Sequence, residues 1–385
     1  MDTSRRKFIS GLLATPVLSA FSNLTFGSIN SSKEVNKRKF FIWITLRGGM
    51  DGLNVVVPSN EPSYYKYRPN IAIKKSELYP LSNQFGLHPA LKHCAQLYKE
   101  KQLLLAHAFA TSYRQRSHFD AQKVLENGSN NARFQEGWIN RLLQLDTSSQ
   151  SIAIDGGLPL IVTGPAETQS WYPNKLKEKD HQANILKELF ENDPVLSQNL
   201  EQALQVESMS DAKSQQKNFK SLCKHAARFL RQDKGPNIAV LELGGWDTHA
   251  NQGAQNGRLA NKLTQLDRGI NQIRMALGEH WKQTVLVAAS EFGRTIKENG
   301  TKGTDHGTGN AFFISGGAVN GGRVITDWPG ISEEQLLQHR DLKPTGDLTA
   351  LIKGILQDHL SLSSQKLDLI FPDSKMLTPI PNLIA

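Results

Sequence analysis

Short apolar runs rich in β-branched and aromatic residues recur along this chain, and longer amphipathic patterns separate them. Such runs, when they end in turn-forming residues, are typical of strands buried on both faces. Their alternation with helical segments predicts an α/β fold with a mostly parallel sheet between two layers of helices, a three-layer αβα sandwich. The predicted strands are Phe40–Leu46, Gln102–Phe109, Ser151–Ile154, Leu158–Val162, Asn237–Leu243, Gln283–Ala289 and Ala311–Ser315. The predicted helices are Leu87–Lys99, Ser117–Asn127, Gln182–Val206, Asp211–Arg231, Asn256–His280 and Thr345–His359.

The first residues carry the pattern of an export signal rather than that of a folded element. Arg5 and Arg6 precede the apolar stretch Gly11–Phe21, which is shorter than the ~20 residues that a bilayer-spanning helix needs. The two arginines predict export by the twin-arginine translocase to the periplasm or medium, and a membrane anchor or a surface helix is the alternative. The chain then divides into a signal peptide at residues 1–27, a linker at 28–39 and one domain at 40–385, with a helical insertion near 164–235.

The charge of the chain argues against one class of partner. The formal net charge is +9, but the basic residues are scattered and do not form a stripe interleaved with aromatic residues. Nucleic-acid binding is therefore not expected, whereas a small anionic substrate is compatible with a basic surface. The two cysteines, Cys94 and Cys223, leave open one disulfide or two buried thiols.

Acidic residues follow three of the predicted strands within glycine-rich turns, and histidines accompany them. The residues concerned are Asp51, Asp247, His249, Glu291, Asp305 and His306. Because ligands of open α/β sheets sit beyond the carboxyl ends of the strands, these side chains are expected to meet in one crevice. Carboxylates and imidazoles together suit a divalent metal, zinc first, with manganese, calcium or magnesium as alternatives. Each residue taken alone is equally well explained as a turn residue or a surface histidine.

Ser117 lies where a helix is predicted to begin. A hydroxyl in that place faces free backbone N–H groups and the positive end of the helix dipole, which bind anions and stabilise an alkoxide. Arg114 and Arg116 are close enough in sequence to hold a phosphate or sulfate group. Simple helix capping by Ser117 and solvated arginines are the alternative interpretation.

Five strings of this sequence together resemble a known family, the domain of unknown function 1501 family. They are Leu46–Asn54, Arg116–Gln122, Gly244–Asn251, Ser290–Thr295 and Asp305–Gly307. Members of that family are exported by the twin-arginine route and are placed near the alkaline phosphatases and sulfatases. The resemblance therefore implies an alkaline-phosphatase-like fold over the mature chain.

The resemblance also implies roles for individual residues. By its pattern, Ser117 would be the nucleophile at a helix start, and the metal ligands would be Asp51, Asp247, His249, Glu291 and His306, with Asp305 beside them. The chain departs from the superfamily pattern at two places. The Asp and His of one motif are closer together, as Asp247-Thr248-His249, and Phe292 stands where the superfamily has an imidazole ligand.

The leading hypothesis is an exported metal-dependent hydrolase of phosphate or sulfate esters, in which Arg116 or Arg294 holds the anion. The two departures favour a rival, a catalytically inactive exported binding or assembly protein that retains the fold. A serine hydrolase of carboxylic esters is a third reading. The sequence lacks the Gly-x-Ser-x-Gly elbow that such enzymes have. The only base near Ser117 in the sequence is His118, and since neighbouring helix residues face different directions, its side chain is expected to point away from Ser117.

Overall fold

A computed structural model gives the fold down to individual side chains. The structure describes residues 38–173 and 217–385, together with a few positions between 185 and 204. The predicted signal peptide lies outside the described residues, as do most of the linker and much of the predicted helix Gln182–Val206. Within the described ranges, no helix is both long enough and apolar enough to cross a bilayer.

The strands of the described ranges form one large sheet and one small one. In chain order they are β1 (Phe40–Arg47), β2 (Val56–Val57), β3 (Tyr79–Pro80), β4 (Gly86–Leu87), β5 (Leu103–Ala110), β6 (Ser151–Ile154), β7 (Gln169–Ser170), β8 (Ile238–Gly244), β9 (Thr284–Ala289), β10 (Asn310–Ser315), β11 (Arg323–Ile325) and β12 (Gly346–Asp347). The large sheet has the order β11-β5-β10-β9-β1-β8-β6-β7, with β12 also paired to β5. Every pairing in it is parallel except those of β10, which runs antiparallel to both β5 and β9. The predicted mostly parallel sheet is confirmed.

Helices cover both faces of this sheet. The described helices are α1 (Gly52–Val55), α2 (Pro62–Tyr67), α3 (Lys92–Lys99), α4 (His118–Asn127), α5 (Trp138–Leu145), α6 (Phe219–Leu230), α7 (Arg258–Leu277), α8 (Leu348–Leu360) and α9 (Ser364–Ile370). Alternate residues of β1 point to opposite faces, since successive side chains of a strand alternate. Ile42 and Ile44 belong to the core shared with α3, α6 and α7, whereas Phe41 and Trp43 belong to the core shared with α5, α8 and α9. The predicted three-layer α/β sandwich is thus the observed architecture.

Three predicted details differ from the structure. Leu158–Val162 was expected as a strand, but Leu160–Val162 is a 3₁₀ turn, because Pro159 breaks the ladder and its carbonyl accepts from Val162 N–H. The helix predicted from Leu87 begins only at Lys92, since β4 occupies Gly86–Leu87. The strand near Ala311 is present, but its direction is antiparallel.

The two cysteines are both buried and both free. Burial raises the pKa of Cys94 well above its ordinary value, with the charge of Asp267 adding to the shift. These thiols therefore act as small core side chains rather than as a disulfide, which settles the question that the sequence left open.

Candidate metal centre

The candidate site lies at the edge of the large sheet where β1, β8 and β9 end. Because β10 is antiparallel to its neighbours, its amino end and the loop before it reach this same edge, where β5 also ends. The β1–α1 loop passes so close to the loop after β8 that a Cβ on Gly48, whose φ is +125°, would lie 2.7 Å from the Asp247 nitrogen. Glycine at this position therefore lets the loops of distant segments close around one spot.

Four side chains meet at this edge, and we call them the histidine–aspartate cluster: His118, Asp247, His249 and His306. Ligand-type atoms of His118, Asp247 and His306 all lie within 4.8 Å of one another. His249 Nε2 lies 3.0 Å from Asp247 Oδ1 and 3.0 Å from His306 Nε2. The side chains of the cluster are between 22% and 46% exposed, so that a small molecule can reach them from solvent.

Each imidazole of the cluster is oriented by a hydrogen bond on its outer side. The pairs are His118 Nδ1 with Glu291 Oε1 at 2.7 Å, His306 Nδ1 with the Arg116 carbonyl at 3.0 Å, and His249 Nδ1 with Asp305 Oδ1 at 3.1 Å. A carboxylate or a carbonyl oxygen can only accept, so the ring nitrogen donates in all three pairs. In the neutral imidazoles the proton is then on Nδ1, and each Nε2 presents its lone pair to the centre of the cluster. This outer arrangement is typical of metal-binding histidines.

The inward-facing ring nitrogens of the cluster lack hydrogen-bond donors among the described residues. His118 Nε2 is buried and has no hydrogen-bond partner among the described residues, and it lies 3.5 Å from Asp247 Oδ2. The facing Nε2 atoms of His249 and His306, 3.0 Å apart, are both acceptors when the rings are neutral. Acceptors held this close repel one another unless a proton or a cation lies between them. The cluster therefore suits a bound cation.

The spacing and the donor types fit zinc. Ligands at ~2.0–2.1 Å from a zinc ion in a tetrahedron lie roughly 3.3 Å from one another. The distances from Asp247 to the three rings are 3.0 Å to His249, 3.5 Å to His118 and 3.5 Å to His306. Imidazole nitrogens with one carboxylate oxygen suit zinc better than calcium or magnesium, which prefer oxygen ligands.

Two members of the cluster, Asp247 and His306, have pKa shifts that favour metal binding. Partial burial raises the pKa of Asp247, but the hydrogen bond and charge of Arg294, with the charges of His249 and His118, outweigh it and leave this pKa lowered. Burial lowers the pKa of His306, and the charge of His118 adds to that effect. At neutral pH the cluster thus offers a charged carboxylate and a neutral His306 ring as ligands.

Glu291 lies outside the cluster as the hydrogen-bond partner of His118. Its carboxylate also accepts from the Gly48 N–H at 2.9 Å and from Gln122 at 3.0 Å. Burial raises the pKa of Glu291, and the hydrogen bonds from His118 and Gln122 outweigh this and leave it lowered. Glu291 and Asp305, which the sequence predicted as metal residues, thus contact the cluster from outside, each through the Nδ1 atom of a histidine.

Asp51 is not brought into the cluster. Its buried carboxylate forms an ion pair with Arg68, with the shortest N–O distance at 2.6 Å, and accepts a further hydrogen bond from Gln252. Asp51 and Arg68 are both fully buried, so the arginine supplies the positive charge that compensates this carboxylate. The expectation of Asp51 as a metal ligand finds no support in this geometry.

The arginines expected to hold an anion are engaged by the protein itself. Arg294 is buried and donates to the carbonyls of Gly48, Gly49 and Thr304 as well as to Asp247. It therefore ties the loops of the site together instead of facing a substrate. Arg116, the other candidate, pairs with the buried carboxylate of Asp341 at 2.7 Å and donates to Gln338.

Ser117 is the N-cap residue of α4, as predicted, but its side chain makes no capping hydrogen bond. It is half-buried and stands between Arg116, whose carbonyl accepts from His306, and His118 of the cluster. Its hydroxyl is therefore not needed to satisfy the first turn of the helix.

Comparison with known proteins places the chain in a family. A sequence model described as protein of unknown function (DUF1501) matches residues 168–371, which is just over half of the chain. The chain belongs to this family. The family resemblance seen in the sequence is thus confirmed, and the DUF1501 match contains Asp247, His249 and His306 of the cluster. No curated protein matches the sequence.

Several solved structures are similar in fold to this DUF1501 chain at low sequence identity. The periplasmic domain of EptC from Escherichia coli, solved in complex with zinc, has 10% identity and a TM-score of 0.40, with 73% of each chain covered. The phosphonate monoester hydrolase of Agrobacterium radiobacter has 11% identity and a TM-score of 0.35, covering 74% of this chain and 70% of its own. The sulfatase PsFucS1 from Pseudoalteromonas sp. has 12% identity and a TM-score of 0.38, covering 76% and 65%.

Sequence reasoning missed His118 as a member of the cluster. It expected the neighbour of Ser117 to point away, since adjacent helix residues face different directions. His118 is the first residue of α4, however, and its ring reaches back over the sheet edge towards Glu291 and Asp247. The available signal was its place beside Ser117, since a side chain at a helix start after β5 points to the edge where the other loops meet.

Gln252 connects the loops that carry the cluster. Its amide nitrogen donates to Asp51 at 2.6 Å, and its amide oxygen accepts from the hydroxyls of Thr248 and Thr304 at 2.7 and 2.8 Å. All four residues are fully buried. Thr248 stands between two residues of the cluster, and Thr304 precedes the loop that carries the third histidine. Gln252 therefore joins the loop that carries Asp247 and His249 to the loop that carries His306.

We expect Gln252→Leu to lower zinc affinity about tenfold, because the loops that carry Asp247 and His306 lose the side chain that joins them. It should also destabilise the fold, since each buried polar group left without a partner costs ~1–3 kcal/mol. Zinc affinity would be measured by chelator competition at a temperature where both proteins are folded. Gln96→Leu, at an exposed position on α3, is the matched control. Unchanged zinc affinity in Gln252→Leu would show that this glutamine does not position the ligands.

Proposed function

We propose that this protein is a zinc-dependent hydrolase of phosphate or sulfate esters that uses the Ser117 hydroxyl as its nucleophile. The observation that carries the proposal is the cluster of three imidazoles and one carboxylate. Its Nε2 atoms converge while every Nδ1 is held from outside. His118, Asp247, His249 and His306 would hold the metal. When bound, zinc would act as a Lewis acid towards the ester oxygen and would lower the pKa of a nearby hydroxyl group or water molecule.

The protein's own groups support the nucleophilic step. Ser117 stands at the start of the ten-residue helix α4, where free N–H groups and the helix dipole stabilise a developing alkoxide. Its oxygen would attack the phosphorus or sulfur atom and lose its proton to solvent water, and the leaving ester oxygen would take a proton from solvent and depart as the alcohol. Water would then release the phosphate or sulfate from serine. Asp247 and the outer carboxylates Glu291 and Asp305 hold the rings in place during both steps.

The proposal includes the place where the reaction occurs. Arg5 and Arg6 with the following apolar stretch support export through the twin-arginine translocase. That route carries proteins that are already folded. Expression with Arg5→Lys/Arg6→Lys would test this, since the variant should stay in the cytoplasm, and unchanged export would contradict it.

Ser117→Ala is expected to reduce turnover of an ester substrate by ~10³ or more, because the nucleophile is lost. The purified zinc-loaded protein would be assayed with an aryl phosphate, an aryl phosphodiester and an aryl sulfate. The melting temperature should change little, since the hydroxyl makes no capping bond. Ser112→Ala, in the exposed loop before it, is the control.

Two results would contradict the proposal. Full activity in Ser117→Ala would exclude this nucleophile. A zinc-loaded protein that turns over none of the three ester classes would favour the rival, an exported binding or assembly protein that retains the fold.

A further inference from the structure

A second concave surface lies at the same edge of the sheet. It is a cleft of about 700 Å³ between the carboxyl ends of β6 and β8 and the facing sides of α6 and α7. In open α/β sheets the crevice beyond the carboxyl ends of the strands is the usual place for ligands. The cleft thus has the position of a ligand site, next to the loop that carries Asp247.

Among the described residues, cations outnumber anions on the walls of this cleft. Its charged side chains are Lys217, Lys220, Lys262 and Arg268 against Asp155 and Glu242. Glu242 forms an ion pair from outside the cleft with Arg47, at 2.7 Å, and this arginine also pairs with Glu126. None of the four cations forms an ion pair with a carboxylate of the described residues, although Lys217 lies over the ring of Tyr172 at 5.3 Å. Uncompensated charge of one sign in a concave surface raises the local concentration of ligands of opposite sign.

The Lys262 side chain reaches from the cleft to the loop that carries Asp247. Lys262 on α7 lies against Gly245, where a Cβ would be 2.7 Å from Lys262 Cε and 2.9 Å from Nζ. Asp247 follows two residues later, and two residues of extended chain span at most ~7 Å. A ligand held at Asp247 can therefore extend to the Lys262 ammonium group.

We propose that this cationic cleft binds a second phosphate or sulfate group of the substrate. This rests on the proposed function and narrows it: the substrate class is a polyanionic ester, with one ester group at the histidine–aspartate cluster and another on Lys262 and Arg268. Lysine and arginine form charge-assisted hydrogen bonds with such groups. Neutral aryl groups alone would leave these cations without a partner.

Binding of inorganic tripolyphosphate to the full chain, measured by calorimetry in the presence of a chelator, tests the proposal. Without metal, the measurement reports on the cleft and is independent of turnover. We expect Lys262→Gln/Arg268→Gln to weaken binding by about tenfold or more, because two charge-assisted contacts are lost. Lys92→Gln/Lys99→Gln removes the same charge from exposed positions on α3 and should leave affinity nearly unchanged. Thermal melting would establish that both variants are folded.

The outcomes separate this proposal from the hydrolase proposal. Binding that depends on Lys262 and Arg268, in a protein that hydrolyses no ester, would support the cleft and reject the hydrolase. Three results would overturn the cleft: no binding to the wild-type chain, an equal loss in both double variants, or binding to phosphatidylglycerol vesicles without binding to tripolyphosphate. The last of these would identify a lipid surface as the partner.

Discussion

Replacing His118 with alanine is expected to lower zinc affinity by more than ~100-fold. Loss of an outer partner of a metal ligand already costs 10–100-fold, and a ligand should cost more. His118 Nε2 is the buried atom of the cluster that has no hydrogen-bond partner among the described residues, so that a cation is the partner that its surroundings favour. Zinc content after purification without chelator, and affinity by chelator competition, would measure the effect.

Two further variants make the result specific. Glu291→Gln should weaken zinc by ~10–100-fold, because the amide is a weaker acceptor for the His118 Nδ1 proton. His339→Asn removes an exposed imidazole that does not belong to the cluster, at a position with φ of +52° that asparagine tolerates. It should keep full affinity. Wild-type zinc affinity in His118→Ala would mean that the cluster is not the metal centre.

Replacing Arg68 with methionine is expected to destabilise the protein by ~3–5 kcal/mol, because Asp51 would keep a buried charge without its partner. The pair is fully buried, and Arg68 also donates to Asn54 and to the carbonyls of Thr295 and Ile296. Denaturant unfolding would give the loss in the free energy of unfolding.

The double variant Asp51→Asn/Arg68→Met separates the two roles that Asp51 could have. Removing both charges of a buried pair costs much less than removing one, so part of the stability should return. Zinc content should stay near that of the wild type, since the cluster does not include Asp51. A double variant that folds but binds no zinc would restore Asp51 as a ligand.

The strands of the fold could be read from the sequence because they are buried on both faces. Phe40–Arg47 and Thr284–Ala289 are apolar runs whose bounds agree with the predictions within one residue. The direction of β10 could not be read, because a fully buried run carries no alternation that distinguishes parallel from antiparallel pairing. Pro159 was the neglected signal at Leu160–Val162.

The site was predictable only in part, for a reason that lies in long-range contacts. Motifs gave Asp247, His249 and His306 because turns after strands gather at one edge. They could not give the ion pair of Asp51 with Arg68, since it depends on a side chain 17 residues away. The motifs also could not show that Glu291 contacts the cluster through His118 Nδ1, because this contact depends on where the His118 side chain points.

The residues of the cluster come from distant parts of the chain, so the cluster forms only when the protein folds. His306 Nδ1 donates to the carbonyl of Arg116, 190 positions earlier in the chain. An unfolded chain therefore does not hold the residues of the cluster together. Under the proposed function, zinc would enter only after the sheet has closed, and its binding energy would then add wholly to the native state. If export follows the proposed twin-arginine route, the folded chain would carry an ion taken from the metal pool of the compartment where it was made.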